Sequence, residues 1–122
     1  MKIAVIGSRD FEDYDMMKKE VIDFIIKENL DKTNVIIVSG GARGADSLAE
    51  RLSKEMNWDL FVFRAKWRQN GIYDNSAGYK RNKTIIDNSD AVIAFRIKNS
   101  KGTTHSIELA KNKGIKVRTI DL

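Results

Sequence analysis

Arg9, Arg43, Arg81 and Lys101 are the side chains of this 122-residue chain best suited to holding a phosphate. Each falls in or beside a short polar loop, and a guanidinium can grip two phosphate oxygens at once. The alternative for each is an ordinary surface or ion-paired role, such as Arg43 with Asp46. Ser8, Ser39, Ser100, Thr103 and Thr104 supply hydroxyls that either donate to phosphate oxygens or cap helices with no ligand present. Asp46 suits a ribose hydroxyl or a bracing role in the turn before it, and Asn82 directly follows Arg81. His105 is the sole histidine, so imidazole chemistry has only that residue to use, against a structural or solvated role at a helix start. One histidine, no cysteine and scattered carboxylates build no metal site, and the lack of cysteine also removes any thiol nucleophile or disulfide. No metal or obligatory cofactor is expected.

The stretch that must position these groups is Val35-Ile36-Ile37-Val38-Ser39-Gly40-Gly41-Ala42-Arg43-Gly44-Ala45-Asp46. Four consecutive β-branched residues suit a strand packed on both faces, and the glycines after them let the backbone turn and approach a ligand. Amides at the start of the following helix lack partners, and the helix dipole favours negative charge there. The pattern is neither the dinucleotide fingerprint nor a Walker loop, since no Lys-Ser/Thr follows the last glycine. A tight turn without a ligand is the competing reading.

Strands are expected at Lys2–Ile6, Val35–Val38, Leu60–Phe63, Ala91–Phe95 and Ile115–Ile120. Helices are expected from about Asp13 to Asn29, Gly44 to Met56, Tyr79 to Ile86 and Thr104 to Lys113. Arg64 to Tyr79 reads as a long loop without periodicity, of the kind that often carries function. Trp67 in that loop either stacks on a base or anchors the loop to the core, and Trp58 reads as packing. Nearly all-apolar strands alternating with helices predict an α/β fold, a Rossmann-like three-layer sandwich with a five-stranded parallel sheet of order 3-2-1-4-5. Ligands bind such sheets beyond the carboxyl ends of the strands where the order reverses. There the loops Gly7-Ser8-Arg9, Ser39 to Gly44 and Ser100-Lys101-Gly102-Thr103-Thr104 should meet.

Residues 1–61 carry 9 Lys+Arg against 12 Asp+Glu and residues 62–122 carry 13 against 5, so the basic excess lies in the second half. That bias fits phosphate-bearing partners, small or polymeric, against the alternative of a solvated surface. No proline, repeat or linker-like stretch divides the chain, so residues 1–122 are expected to form one domain. The first apolar run is too short for a signal or membrane segment, which makes a cytoplasmic protein without a membrane partner the expectation.

Gly7-Ser8-Arg9-Asp10-Phe11, the turn from Ser39 to Asp46, Ala77-Gly78-Tyr79-Lys80-Arg81-Asn82 and Ser100-Lys101-Gly102-Thr103-Thr104-His105 together resemble the YspA-type, cpYpsA-related branch of the SLOG superfamily. That superfamily also holds DprA/Smf proteins and the Lonely Guy (LOG) phosphoribohydrolases. The resemblance covers nearly the whole chain and implies a nucleotide-binding domain, serving as a sensor or sequestering module for a nucleotide-derived ligand. It leaves two further functions open, and it admits a homo-oligomer. LOG enzymes hydrolyse the N-glycosidic bond of a nucleoside 5′-monophosphate with an arginine and a glutamate. Arg81 resembles that arginine, but Ser106 stands where the glutamate is expected, and Glu108 is the nearest carboxylate on the same helix. Arg81 and Glu108 are therefore the catalytic candidates of that reading. DprA-like proteins share the glycine turn and an Arg-Asn pair like Arg81-Asn82, and bind single-stranded DNA. Trp67, Tyr73 and Tyr79 interleave with Arg64, Lys66, Arg68, Lys80, Arg81 and Lys83 as stacking on single strands would require.

Overall fold

A computed structural model describes all 122 residues. Five parallel strands form the central sheet: β1 (Lys2–Gly7), β2 (Ile36–Ser39), β3 (Asp59–Val62), β6 (Ala91–Arg96) and β7 (Lys116–Asp121). Two short strands, β4 (Arg68–Gln69) and β5 (Ile72–Tyr73), form a separate antiparallel hairpin. The sheet order is β3-β2-β1-β6-β7, which is the expected 3-2-1-4-5 once the hairpin strands are left out of the numbering. Register is set by pairs such as Ile3 with Ile37 and Ile3 with Ala91 on either side of β1. The chain reverses direction across the sheet between β1 and β6, which opens a crevice at their carboxyl ends.

Helices α1 (Tyr14–Lys27), α2 (Ala45–Met56), α3 (Ala77–Asp87) and α4 (Lys101–Lys113) cover the sheet. Alternation along β1 sends Ile3 and Val5 to the face under α1 and α2, and Ala4 and Ile6 to the face under α3 and α4. Each helix has a visible start or stop. Asp13 accepts a hydrogen bond from the Met16 amide at 3.0 Å to cap α1. Asn57 (φ 56°) and Gly114 (φ 82°) end α2 and α4 in the left-handed region. Lys113 on α4 donates to the carbonyls of Ile86, Asp87 and Ser89 at 2.9–3.1 Å, holding the end of α3 against its neighbour. No helix is long and apolar enough to cross a membrane.

The hairpin corrects the expectation of an irregular loop. Asn70 and Gly71 both take positive φ (53° and 78°), as a two-residue type I′ turn demands. The Asn-Gly pair was the available signal, obscured because its strands are only two residues long. α4 also begins three residues before the expected Thr104.

Candidate functional site

A cleft of about 560 Å³ opens at the carboxyl end of β1, between the loops that follow β1, β2 and β6 and the first turns of α2, α3 and α4. Its construction depends on two glycines. A Cβ at Gly7 would lie 2.4 Å from the Phe95 carbonyl oxygen and 2.8 Å from Ala45 Cβ, so glycine lets the end of β1 seat between β6 and α2. At Gly44, φ is +76° and a Cβ would stand 2.3 Å from the Arg9 carbonyl oxygen. The glycine turn thus closes on the loop after β1. Ser8 adds a side-chain tie: its amide donates to the Phe95 carbonyl at 2.9 Å, and its hydroxyl oxygen accepts from the Ile97 amide at 2.9 Å.

Charge enters the cleft from Arg9, Arg81 and Lys98, opposed by Asp10 and Asp46. Arg81 is half-buried and donates from Nη1 to the Gly40 carbonyl at 2.7 Å and from Nε to Asn82 Oδ1 at 3.1 Å. Asp46 is buried, and its Oδ2 accepts from the Ala42 amide at 3.1 Å. Burial pushes its carboxyl up to about 6, against the Ala42 hydrogen bond and the nearby charges of Arg81 and Arg9, which favour the ionised form. Burial also lowers the Arg81 pKa, while Asp46 pulls it the other way. Gly40 lies between the two, since a Cβ there would be 2.5 Å from Arg81 Nη1 and 2.8 Å from Asp46 Oδ2.

The helix ends around the cleft differ from that of α1. Helices α2, α3 and α4 begin without an amide hydrogen bond to the side chain of the N-cap residue, whereas in α1 the Asp13 side chain accepts one. The first amides of α2 and α3 are already taken, Ala45 by the Ser8 carbonyl at 3.3 Å and Ala77 by the Asp74 carbonyl at 3.2 Å; the helix dipole and the first-turn amides that remain free favour an anion at such ends. At the rim, Trp67 lies over the first turn of α3, with Cη2 3.2 Å from where a Gly78 Cβ would stand. Its other neighbour is Tyr73 of the hairpin, stacked at 6.1 Å between ring centroids. Tyr79 meets His105 edge-on at 4.5 Å, and Asn82 Nδ2 lies 3.4 Å from His105 Nδ1.

Of the residues expected to form a site, Gly7, Ser8, Arg9, Asp46, Arg81 and Asn82 border this cleft, and Ser100, Gly102 and Thr103 form its α4 wall. The others stand apart for identifiable reasons. Ser39 is buried and accepts from the Gly41 amide at 3.2 Å, bracing the turn. Gly40 and Gly41 sit behind the wall, against Arg81 and Arg64 respectively. Arg43 and Lys101 are exposed outside the cleft, and Gly44 packs on the β1 loop. Thr104 accepts from Arg96 Nη1 at 3.2 Å on the far side of α4, where Arg96 also pairs with Asp121. Glu108 is exposed and off the cleft, so the carboxylate considered for glycosidic hydrolysis does not meet Arg81 there; Ser106 is buried in the cleft wall instead. Asp10, Asn75 and Lys98 border the cleft without having been singled out. Lys98 and Asn99 both adopt positive φ (49° and 54°); asparagine favours that region, but nothing in the sequence announces it for Lys98.

A family model described as YspA, cpYpsA-related SLOG family matches residues 1–70. The chain is 30% identical over 122 residues to the Gene 61 protein of Mycobacterium phage D29, an alignment covering 95% of this chain and 93% of that protein. Among solved structures it is similar to DNA processing protein A from Helicobacter pylori, with a TM-score of 0.62 and 21% identity, covering 98% of this chain and 64% of that one. DprA from Streptococcus pneumoniae matches with a TM-score of 0.73 and 18% identity, covering 97% of this chain and 49% of that one. The Helicobacter structure is described as showing a unique mode of single-stranded DNA binding. At these identities the likeness to the two DprA structures is one of fold, and the chain spans less than two thirds of either.

Proposed function

The chain belongs to the YspA, cpYpsA-related SLOG family, and from that premise we propose that it binds a nucleotide or nucleotide-derived ligand in the cleft at the carboxyl ends of the strands. One observation carries the reading: three helix starts without N-cap side-chain bonds and three basic side chains, Arg9, Arg81 and Lys98, converge on one cleft with an aromatic rim. The phosphate lies toward the starts of α2 and α4, between Arg9 and Arg81. The base lies toward Trp67 and Tyr79, whose exposed rings offer a surface for stacking. Asn82 acts as a positioning residue, because it orients Arg81 and its amide nitrogen lies 3.4 Å from the Gly102 carbonyl on α4. Binding without turnover suits a sensor or sequestering module.

Thermal unfolding against a panel of nucleoside monophosphates, dinucleotides, ADP-ribose and cyclic nucleotides tests this. A ligand at a hundred times its Kd stabilises the folded state by about 2.7 kcal/mol. That shift should appear with a nucleotide on the wild type and vanish in Arg9→Ala. No shift across the panel, or one that survives in Arg9→Ala and Lys98→Ala alike, would remove the site.

Single-stranded nucleic acid is a second reading. It is favoured by the fold shared with the DprA structures and by the exposed aromatics Trp67, Tyr73 and Tyr79 set among basic residues. Affinity for an oligonucleotide that falls steeply with salt supports it, and failure to bind one at low salt rejects it.

A further inference from the structure

A second cleft, of about 410 Å³, lies on the other side of Arg81, between the end of β3, the hairpin and α3. Helical periodicity explains the shared wall. Ala77, Lys80, Arg81 and Thr84 form one stripe of α3 facing the second cleft, while Gly78, Arg81, Asn82 and Ile85 form the adjacent stripe facing the first. Arg81 is the residue common to both. The second cleft is much the more basic, with Arg64, Lys66, Lys80 and Arg81 against the single carboxylate of Asp74.

That carboxylate is already committed. Asp74 Oδ2 pairs with Lys80 at 2.7 Å, and Oδ1 accepts from the Ser76 hydroxyl at 2.7 Å and the Ser76 amide at 2.9 Å. These contacts, the Lys80 bond foremost, hold its pKa down to about 2. Arg64, Lys66 and Arg81 form none of the ion pairs in the fold. Instead, Arg64 Nη1 donates to the Gly41 carbonyl at 2.7 Å and Arg81 Nη1 donates to the Gly40 carbonyl at 2.7 Å. Two guanidinium groups are thus fastened to consecutive carbonyls of one turn with no carboxylate within 4.0 Å of either. Each retains N–H donors that these contacts do not use, since a guanidinium carries five. An anion seated in the second cleft can take up these free donors.

We infer that the second cleft binds a phosphate-type group through Arg64, Lys66 and Arg81, and that the preferred ligand carries two such groups, one on each side of Arg81. The inference rests on the nucleotide reading only for the group in the first cleft. Two sources share this chemistry: a small diphosphorylated dinucleotide and the backbone of a single strand.

Calorimetric titration of the four nucleoside 5′-monophosphates, the four 5′-phosphorylated homodinucleotides and the corresponding hexanucleotides tests it. The wild type and an Arg64→Lys/Lys66→Ala variant are compared, the new lysine keeping a donor for the Gly41 carbonyl. Lys66→Ala alone serves as the variant that disturbs no contact of the fold. In the wild type the best dinucleotide should bind about tenfold or more tightly than its monophosphate. In the double variant that advantage should disappear while monophosphate affinity stays within about twofold, with Lys66→Ala in between. Equal binding of mono- and diphosphorylated probes by the wild type overturns the inference, as does a variant that weakens both probes alike or neither. If monophosphates fail to bind but the dinucleotide binds and is lost in the double variant, the second cleft stands and the monophosphate site falls. Silence from every probe overturns both. A hexanucleotide gain beyond the dinucleotide that depends on Arg64 and Lys66 identifies a strand as the source; no further gain identifies the small molecule.

Discussion

The two faces of the sheet are built differently. Under α1 and α2 the core holds 15 buried residues, including Phe11, Phe24 and Phe95, whereas under α3 and α4 it holds 9, none aromatic. Yet α1 contributes nothing to the main cleft, while α3 and α4 supply much of its wall. The difference separates two tasks. Large side chains on the first face hold the sheet, and the second face, with an all-aliphatic buried core, contributes two of the three helix starts that border the cleft. Buried apolar side chains contribute about 1.5–3 kcal/mol each when fully removed from water, which places most of the stabilisation on the first face.

Phe95→Ala tests that division most severely. The ring is fully buried and stacked on Phe11 at 4.7 Å, so urea unfolding should show a loss of about 4 kcal/mol. Next in size is the pH dependence from Asp46. A carboxyl raised from 3.8 to about 6 by folding binds its proton more tightly in the folded chain. Its contribution to stability is therefore fully present below the unfolded value of 3.8 and is lost as pH rises through about 6. Unfolding free energies of Asp46→Asn minus wild type should rise by up to about 3 kcal/mol between pH 4 and pH 8. A flat difference would mean that the site residue carries no burial cost. Ile107→Ala, on the thinner face, should cost about 2 kcal/mol, and a loss equal to that of Phe95→Ala would erase the contrast. Arg9→Ala should change stability in the absence of ligand by less than about 0.5 kcal/mol, because the side chain is exposed and makes no ion pair. A larger loss would show that the cleft rim also helps hold the fold.

Legibility in the sequence followed the same division. Runs such as Ile3-Ala4-Val5-Ile6 and Val35–Val38 announce buried strands, and the stripe Met17, Val21, Phe24, Ile25 announces α1, because burial imposes a period on residue type. Crossover handedness left few sheet orders once the strands were placed, and the Rossmann-like order among them is the one observed. The site was legible as a location more than as a residue list. Nothing in Ser39-Gly40-Gly41-Ala42-Arg43-Gly44 says which way each residue faces, and Gly40, Gly41 and Gly44 turn out to receive Arg81, Arg64 and the Arg9 backbone. Lys98 escaped notice because its direction is set by two left-handed residues rather than by composition. Glu108 was placed on the right helix, but it stands two residues past Ser106, about 200° round the helix, and so on the solvent side.

The register of β1 has a consequence for synthesis. This strand leaves the ribosome before both of its neighbours and finds one when β2 emerges, but its other partner begins at Ala91. At roughly 5–20 residues per second, the nascent strand waits several seconds with one edge unpaired. During that interval the glycine turn has emerged, but α3 and α4 have not. The cleft is therefore a late event of translation, formed only when the carboxyl-terminal half closes the sheet.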